Sequence, residues 1–217
     1  MIKTNGSIHK FVNFLTIHKV TDKESPCTHT SMGISFGKLW AGKYFINDDY
    51  ELNEFLGLYT NVLLECNDLE NSPLHIVERP RYISKMLVDI DFRQDCEERC
   101  YTIDTIKYMI KTYVTVMQQY INVSPEYYEA LVFEKSCPKY DEAQKNYKDG
   151  FHIVFPYIIV SAPYRYRILD DVKKIVEAED GLSDVPYTNS LTDIFDDSIV
   201  LRNGWMMYGS RKNNSTK

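Results

Sequence analysis

Two aspartates, Asp89 and Asp91, stand one residue apart in the apolar run LVDIDF at residues 87–92. The run is typical of a β-strand, in which residues i and i+2 project from the same face of a sheet. The two carboxylates would therefore lie side by side, and like charges repel strongly where water is scarce. A Mg²⁺ or Mn²⁺ ion would remove that repulsion, because hard cations prefer oxygen ligands. The pair predicts a divalent-metal site, and a strand end with two solvated aspartates is the alternative.

A second segment, KDGFHIVFP at residues 148–156, is typical of a turn that opens directly into an apolar strand. Gly150 would allow the backbone of another segment to approach closely. His152 would stand at the mouth of the strand, with Lys148 four residues earlier in the turn. An imidazole and an ammonium group placed in this way could both reach one phosphate chain. A histidine that begins a strand is also a common hydrogen-bonded structural residue, so this segment alone leaves both interpretations open.

A third cluster lies near the end of the sequence, where FDDSIV at residues 195–200 supplies a further carboxylate. A short strand and a basic turn follow it. In that turn, Gly209 and Ser210 would let the backbone and Lys212 meet an anion. Arg211 and Lys212 are equally compatible with a solvated basic tip, so the turn by itself predicts neither function.

Taken in order, the three segments resemble the archaeo-eukaryotic primase superfamily: an apolar Asp-x-Asp strand, a small-x-His strand, then Asp with a downstream Gly-Ser-x-Lys. Within that superfamily, residues 87–92, 148–156 and 197–212 are similar to the amino-terminal primase domain of the primase-helicases of large cytoplasmic DNA viruses, the poxvirus, asfarvirus and giant-virus group. The resemblance implies an α/β (α+β) fold. It would contain a mixed or antiparallel sheet, with an RRM-like catalytic core flanked by helices.

The resemblance implies that Asp89 and Asp91 bind catalytic Mg²⁺ or Mn²⁺ ions and that Asp197 completes an acidic triad. Asp196 competes with Asp197 for the third position, and Asp197 is favoured because its distance to the Gly-Ser turn fits the pattern better. The implied reaction is two-metal nucleotidyl transfer, in which metals activate a 3′-hydroxyl and neutralise the leaving pyrophosphate. The chain is thus expected to be a DNA-directed primase that synthesises primers on single-stranded DNA.

Five further residues are implied to bind the nucleotide. His152 would contact the incoming triphosphate, and Lys148 and Lys212 match the phosphate-binding lysines of the family. Gly150 and Ser210 would contribute beside them. Positive groups on a triphosphate stabilise the charge that grows toward the transition state.

Two positions depart from the family pattern. Gly150 lacks the serine hydroxyl that some relatives have, and Met206 stands where many relatives place a phosphate-binding arginine. These departures keep two alternatives open. One is a metal-dependent nuclease or phosphoesterase that uses water as the nucleophile. The other is a catalytically weak DNA-binding or assembly module of a replicative helicase.

The length of 217 residues and the 44% of apolar residues predict one catalytic domain. Its expected parts are an N-terminal α/β part at about 1–80, a catalytic core at about 81–212, and a tail at 213–217 that leads to a helicase region. No phosphate-loop motif GxxxxGK[ST] occurs in the sequence, so a helicase domain or partner, hexameric in relatives, is expected elsewhere. Other expected partners are single-stranded DNA, NTPs or dNTPs and viral replication proteins.

Cytoplasmic placement is the default expectation, because the sequence has neither a secretory signal nor an apolar run of about 20 residues. The resemblance narrows this to the host cytoplasm and a viral replication factory. Five cysteines, an odd number, favour reduced thiols. Cys96 and Cys100 have a spacing that permits two zinc ligands, but Cys137 is the only later cysteine, so zinc is not expected.

Net charge is −6, which argues against strong binding to a nucleic-acid backbone. Arg79, Arg81, Lys85 and Arg93 nevertheless flank the Asp-x-Asp strand. These residues would either line a template or phosphate groove or be ordinary solvent-exposed charges at the strand ends. Weak intrinsic DNA affinity is the expectation.

The rest of the sequence predicts the helices and strands that would position the candidate site residues. Apolar spacing predicts helices at residues 49–64, 103–117 and 163–181. Residues 130–133 predict a strand, and the polar residues 135–149 predict a long loop before the histidine strand.

Overall fold

The computed structural model describes four stretches of the chain: residues 6–32, 34–35, 38–66 and 72–211. The chain forms two compact units, one from residues 1–80 with 204–217 and the other from residues 81–203. They are called the first and the second unit below. The described residues 204–211 are thus grouped with the amino-terminal part, and the predicted division into domain parts stays a prediction.

The first unit combines two helices with a five-stranded antiparallel sheet. Helix α1 is Gly6–Ile17 and helix α2 is Asp49–Leu64. The strands, in spatial order, are β1 (Lys19–Val20), β5 (Gly42–Tyr44), β2 (His29–Ser31), β6 (Ile76–Glu78) and β11 (Trp205–Met206), and a separate pair is β3 (Ile34–Ser35) with β4 (Lys38–Leu39). Its core is aromatic, since Phe11 and Phe55 are fully buried and their rings lie 5.6 Å apart.

The second unit is built on a sheet in the order β7, β10, β8, with β9 also paired to β10. All these pairs are antiparallel. The elements in chain order are β7 (Ile83–Gln94), α3 (Ile103–Met117), β8 (Leu131–Glu134), β9 (Lys139–Asp141), β10 (Asn146–Ser161), α4 (Ala162–Ala178) and α5 (Leu191–Ile194), with 3-10 helices at Pro125–Tyr128 and Asp197–Val200.

Strand β7 separates core and site by simple alternation. Its residues Met86, Val88, Ile90 and Phe92 are all at most 2% exposed. They form one apolar cluster with side chains of α3 and α4, so these helices pack on that face of the sheet. The intervening residues project from the opposite face because strand side chains alternate. That opposite face, which carries the odd-numbered residues of β7 from 87 to 93, is called the site face.

The observed fold confirms the predicted α/β class, with antiparallel sheets and flanking helices. The predicted helices at 49–64 and 103–117 are present with those bounds, and the third is Ala162–Ala178. No helix among the described residues is long and apolar enough to span a bilayer.

The predicted loop at residues 135–149 is wrong in part, because β9 and the beginning of β10 form a hairpin there. Tyr140 and Tyr147 are opposite each other in this hairpin, with ring centroids 5.2 Å apart. Cross-strand aromatic pairs stabilise such ribbons. The polar residues around the two tyrosines conceal the hairpin from a search for apolar periodicity.

Candidate functional site

The pairing register of β7 and β10 brings the predicted acidic and histidine segments together. Asp89 is directly opposite His152, and Asp91 is directly opposite Gly150. Both aspartates lie on the site face, and the side chains are 15% and 18% exposed. His152 Nε2 lies 3.2 Å from Asp89 Oδ1. The predicted neighbourhood of these residues is therefore present in the structure, and their roles stay predictions.

Gly150 is the reason that the two strands can pair so closely at this point. Its φ angle of 147° lies in the region that favours glycine. A Cβ atom placed there would lie 2.0 Å from the backbone oxygen of Ile90. The backbone oxygen of Gly150 also accepts a hydrogen bond of 3.1 Å from the hydroxyl of Tyr101. The position therefore has no room for a serine side chain.

Asp91 lies between two lysines. Lys148 Nζ is 2.7 Å from Asp91 Oδ2, and Lys135 Nζ is 3.0 Å from Asp91 Oδ1. Burial alone would raise the pKa of Asp91, but the charges of both lysines and their hydrogen bonds outweigh it, so the pKa is lowered. Desolvation lowers the pKa of Lys135 in spite of its attraction to Asp91. Sequence reasoning found Lys148 and missed Lys135, which is 44 residues from its partner.

Asp89 differs from Asp91, because its buried Oδ1 atom has no hydrogen-bond partner among the described residues. The imidazole of His152 is near this atom but does not meet hydrogen-bond geometry. An unsatisfied buried carboxylate oxygen is costly, and a bound cation would satisfy it. Mg²⁺ is commonly held by one or two carboxylates together with substrate phosphates. The donor set of Asp89 and Asp91 therefore fits a hard divalent cation.

The third acid is placed differently from the first two. The backbone N–H of Asp196 donates to the backbone oxygen of Asp89 at 3.3 Å, which fastens this turn to β7. The carboxylate of Asp196 accepts from Ser198 N at 2.8 Å, and the Asp197 carboxylate lies 2.6 Å from Arg202 Nη2. In the described part of the chain, no group of three His, Cys, Asp or Glu side chains is arranged to hold a metal. Binding of metal by Asp197 stays a prediction.

The predicted phosphate turn belongs to the first unit. Ser210 Oγ accepts from the backbone N–H of Ile76 at 2.8 Å and lies 3.0 Å from the hydroxyl of Tyr59. Met206 pairs with Val77 in the sheet. Lys212 lies outside the described residues. Nucleotide binding by Ser210 and Lys212 thus stays a prediction.

A polar cavity of about 330 Å³ adjoins Asp91 in the second unit, lined by Asp91, Arg93, Gln144, Lys148, Asn189 and Asp193. Asn189 fixes its floor, donating to the backbone oxygen of Asp91 and accepting from the backbone N–H of Arg93, each at 2.9 Å. Arg93 also pairs with Asp141 at 2.6 Å. Arg93 therefore lines this cavity, and it is one of the four residues predicted for a template or phosphate groove, the others being Arg79, Arg81 and Lys85.

Arg99 joins the two segments that carry the lysines. Its Nε lies 2.8 Å from Oδ2 of Asp149, whose side chain is fully buried. Its Nη1 lies 2.9 Å from Oε1 of Glu134, and its Nη2 donates to the backbone oxygen of Lys135 at 2.5 Å. One guanidinium group thus ties the end of β8, which precedes Lys135, to the part of β10 beside Lys148. A planar fork of donors suits this task better than an ammonium group.

Replacing Arg99 with alanine should destabilise the second unit by about 3 kcal/mol, because it leaves the buried carboxylate of Asp149 without its cation. The low end of the usual range applies because the Arg99 side chain is 29% exposed, so water can reach the gap. Hydrogen exchange of β10 peptides in urea measures this change. Lys107→Ala is the control: it breaks an exposed pair with Asp104 and should change stability by less than about 0.5 kcal/mol. If the two variants lowered the stability of the second unit equally, Arg99 would not have the proposed role of holding β8 to β10.

Cys96 and Cys100 are neighbours in the structure, and the expectation that they bind no zinc stays a prediction. Cys96 Sγ and Cys100 Sγ lie 2.9 Å apart. Two thiolates on a tetrahedral zinc would be roughly 3.8 Å apart, given Zn–S bonds of about 2.3 Å. The described structure offers no third ligand beside them.

Comparisons with known proteins identify the family of the chain. A family model described as the C962R protein N-terminal AEP domain matches residues 28–217. A protein of Acanthamoeba polyphaga mimivirus, whose name describes it as a helicase (L207/L206), is 29% identical over 220 residues. The match covers 99% of this chain and 22% of the relative. The chain therefore spans about a fifth of the length of that relative.

Proposed function

Because the chain belongs to the family of C962R protein N-terminal AEP domains, which are archaeo-eukaryotic primase domains, we propose that it joins nucleotides into primers on single-stranded DNA. The observation that carries the proposal is the set of groups around Asp91. Two adjacent carboxylates face a histidine across the strand pair, and two lysines adjoin them. Carboxylates hold metal ions, and a cluster of positive groups beside them suits a triphosphate.

In this mechanism Asp89 and Asp91 would hold the Mg²⁺ or Mn²⁺ ions. The ions, when bound, activate the attacking 3′-hydroxyl and neutralise the leaving pyrophosphate. Lys148 would orient the triphosphate and oppose its growing negative charge. Asn189 holds the backbone at Asp91, so the carboxylate keeps its direction while the substrate enters. Asp197 or Asp196 would supply the third acidic ligand.

His152 is better suited to contact phosphate than to act as a general base. Its Nε2 faces the carboxylate of Asp89, and Lys148 is four residues away on the same strand. Replacing His152 with alanine should lower the use of nucleotide about 10- to 100-fold while template binding changes little. Steady-state incorporation and DNA binding by fluorescence anisotropy measure the two effects. His9→Ala, an exposed histidine of α1, is the control. Equal loss of both properties would reject the assignment.

The proposal also concerns partners and place. The mimivirus relative is named as a helicase and is much longer, so we propose that a helicase acts with this domain, in the same chain or as a partner. A viral primase of this kind would work in replication in the host cytoplasm.

Primer synthesis is the direct test. The chain is incubated with single-stranded DNA, labelled NTPs or dNTPs, and Mg²⁺ or Mn²⁺. Short products that require both the triphosphate and Asp89 and Asp91 would support the proposal and report the sugar preference. Cleavage of DNA without any triphosphate requirement would instead indicate a metal-dependent nuclease.

A further inference from the structure

Both oxygens of the Asp91 carboxylate already have a cationic neighbour. Lys148 reaches Oδ2 from β10, and Lys135 reaches Oδ1 from the end of β8. A divalent ion bound to Asp91 would lie within a few ångströms of both ammonium groups, and the repulsion between these like charges favours withdrawal of one ammonium group.

Lys135 is the side chain better suited to leave. Its contact, at 3.0 Å, is longer than the 2.7 Å contact of Lys148. Its backbone is fixed, because Arg99 holds the carbonyl oxygen of Lys135 and pairs with Glu134 beside it. Only the flexible four-carbon stem has to move, and such a stem can carry its ammonium group over several ångströms.

A displaced Lys135 would remain beside the acidic pair, where the triphosphate is proposed to lie. We propose that Lys135 is a further residue of the nucleotide site: it holds Asp91 in the absence of metal and transfers to the triphosphate when metal and nucleotide bind. This inference rests on the proposed function. It assigns the ammonium group two partners in succession, a carboxylate and then a phosphate.

The inference predicts that one substitution strengthens the binding of metal and weakens the binding of nucleotide. Lys135→Gln removes the competitor for Asp91, so Mn²⁺ alone should bind about 3- to 10-fold more tightly. The same variant loses a charged donor to phosphate, so binding of a non-hydrolysable ATP or dATP analogue should weaken about 10-fold. A residue with a merely structural role would weaken both.

Manganese binding is followed by the electron paramagnetic resonance signal of free Mn²⁺, and analogue binding by calorimetry, with the full chain in each case. Lys107→Gln is the control, since it removes an exposed lysine of α3 that pairs with Asp104 and should change neither affinity. Lys135→Arg keeps the charge and should leave Mn²⁺ affinity close to that of the parent. Circular dichroism verifies that each variant is folded.

Tighter Mn²⁺ binding with weaker analogue binding in Lys135→Gln would support the inference. Unchanged or weaker Mn²⁺ binding in that variant, with normal binding by the parent, would overturn the inference and leave the proposed function intact. A parent that binds neither Mn²⁺ nor the analogue would overturn both.

Discussion

Replacing Asp89 with asparagine should lower the rate of nucleotide incorporation at least about 100-fold, while the stability of the folded chain changes little. The loss follows because a neutral amide is a weak ligand for Mg²⁺ or Mn²⁺ and provides little of the charge stabilisation at the reacting phosphate. The stability changes little because two effects oppose each other. The substitution loses the 3.2 Å contact of the carboxylate with His152 Nε2 but removes a charge whose buried oxygen Oδ1 has no hydrogen-bond partner among the described residues, so the free energy of unfolding should change by less than about 1 kcal/mol.

The measurement pairs primer extension with urea unfolding of the same preparation. Asp170→Asn is the control, because Asp170 is an exposed carboxylate in the middle of α4 and should affect neither property. An Asp89→Asn variant that keeps full activity would contradict the proposed metal site. One that loses activity only because it unfolds would contradict the explanation from the unpaired oxygen.

The same assay decides which acid is the third. Asp197→Asn should reduce activity as strongly as Asp89→Asn if Asp197 is a ligand. Asp196→Asn should then change activity and stability little, since the Asp196 side chain accepts from Ser198 N as the N-cap of the 3-10 helix and asparagine caps equally well. The reverse result would assign the role to Asp196.

The sequence predicted the parts of the site that depend on local spacing. The two-residue period of a strand places Asp89 and Asp91 on one face, and a glycine before a strand permits close pairing beside His152. Neither rule requires knowledge of which strands are neighbours. The family resemblance supplied the expected order of the segments, and the antiparallel register then brought these residues together.

Other parts of the site depend on contacts that no local pattern reveals. Lys135 meets Asp91 only because β8 and β7 both pair with β10. Arg99 meets the buried Asp149 across 50 residues, and no local pattern around Arg99 indicates this partner. A lysine directly after a strand is usually an ordinary solvent-exposed residue. The contact of Lys135 with Asp91 therefore becomes visible only from the sheet order and the distances.

Replacing Gly150 with alanine should destabilise the second unit by about 3–4 kcal/mol, combining backbone strain with overpacking. The φ angle of 147° is unfavourable for any residue with a Cβ atom. The added methyl group would lie 2.0 Å from the oxygen of Ile90 and 3.2 Å from the Cα of Asp91. These are backbone atoms of the neighbouring strand, so no side-chain rotation relieves the clash, and β10 must move away from β7.

Gly57→Ala is the matched control for this substitution. Gly57 lies within α2, and a Cβ atom there would have no other heavy atom within 4 Å. Because alanine favours helix more than glycine does, this variant should be about 0.5–1 kcal/mol more stable. The two variants add the same methyl group in different surroundings. Because only the one at Gly150 meets backbone atoms, the two should change stability in opposite directions.

The readout must report on each unit separately, because Gly150 lies in the second unit and Gly57 in the first. Both tryptophans of the chain, Trp40 and Trp205, belong to the first unit, so their fluorescence does not follow unfolding of the sheet that carries the site. Hydrogen exchange of peptides from β7 and β10 does follow it, because the backbone hydrogen bonds between these strands protect their amides. In Gly150→Ala, protection should fall first around residues 89–91 and 150–152, and metal-dependent incorporation should be lost with it. Normal protection there would show that the close approach of β10 to β7 does not depend on glycine.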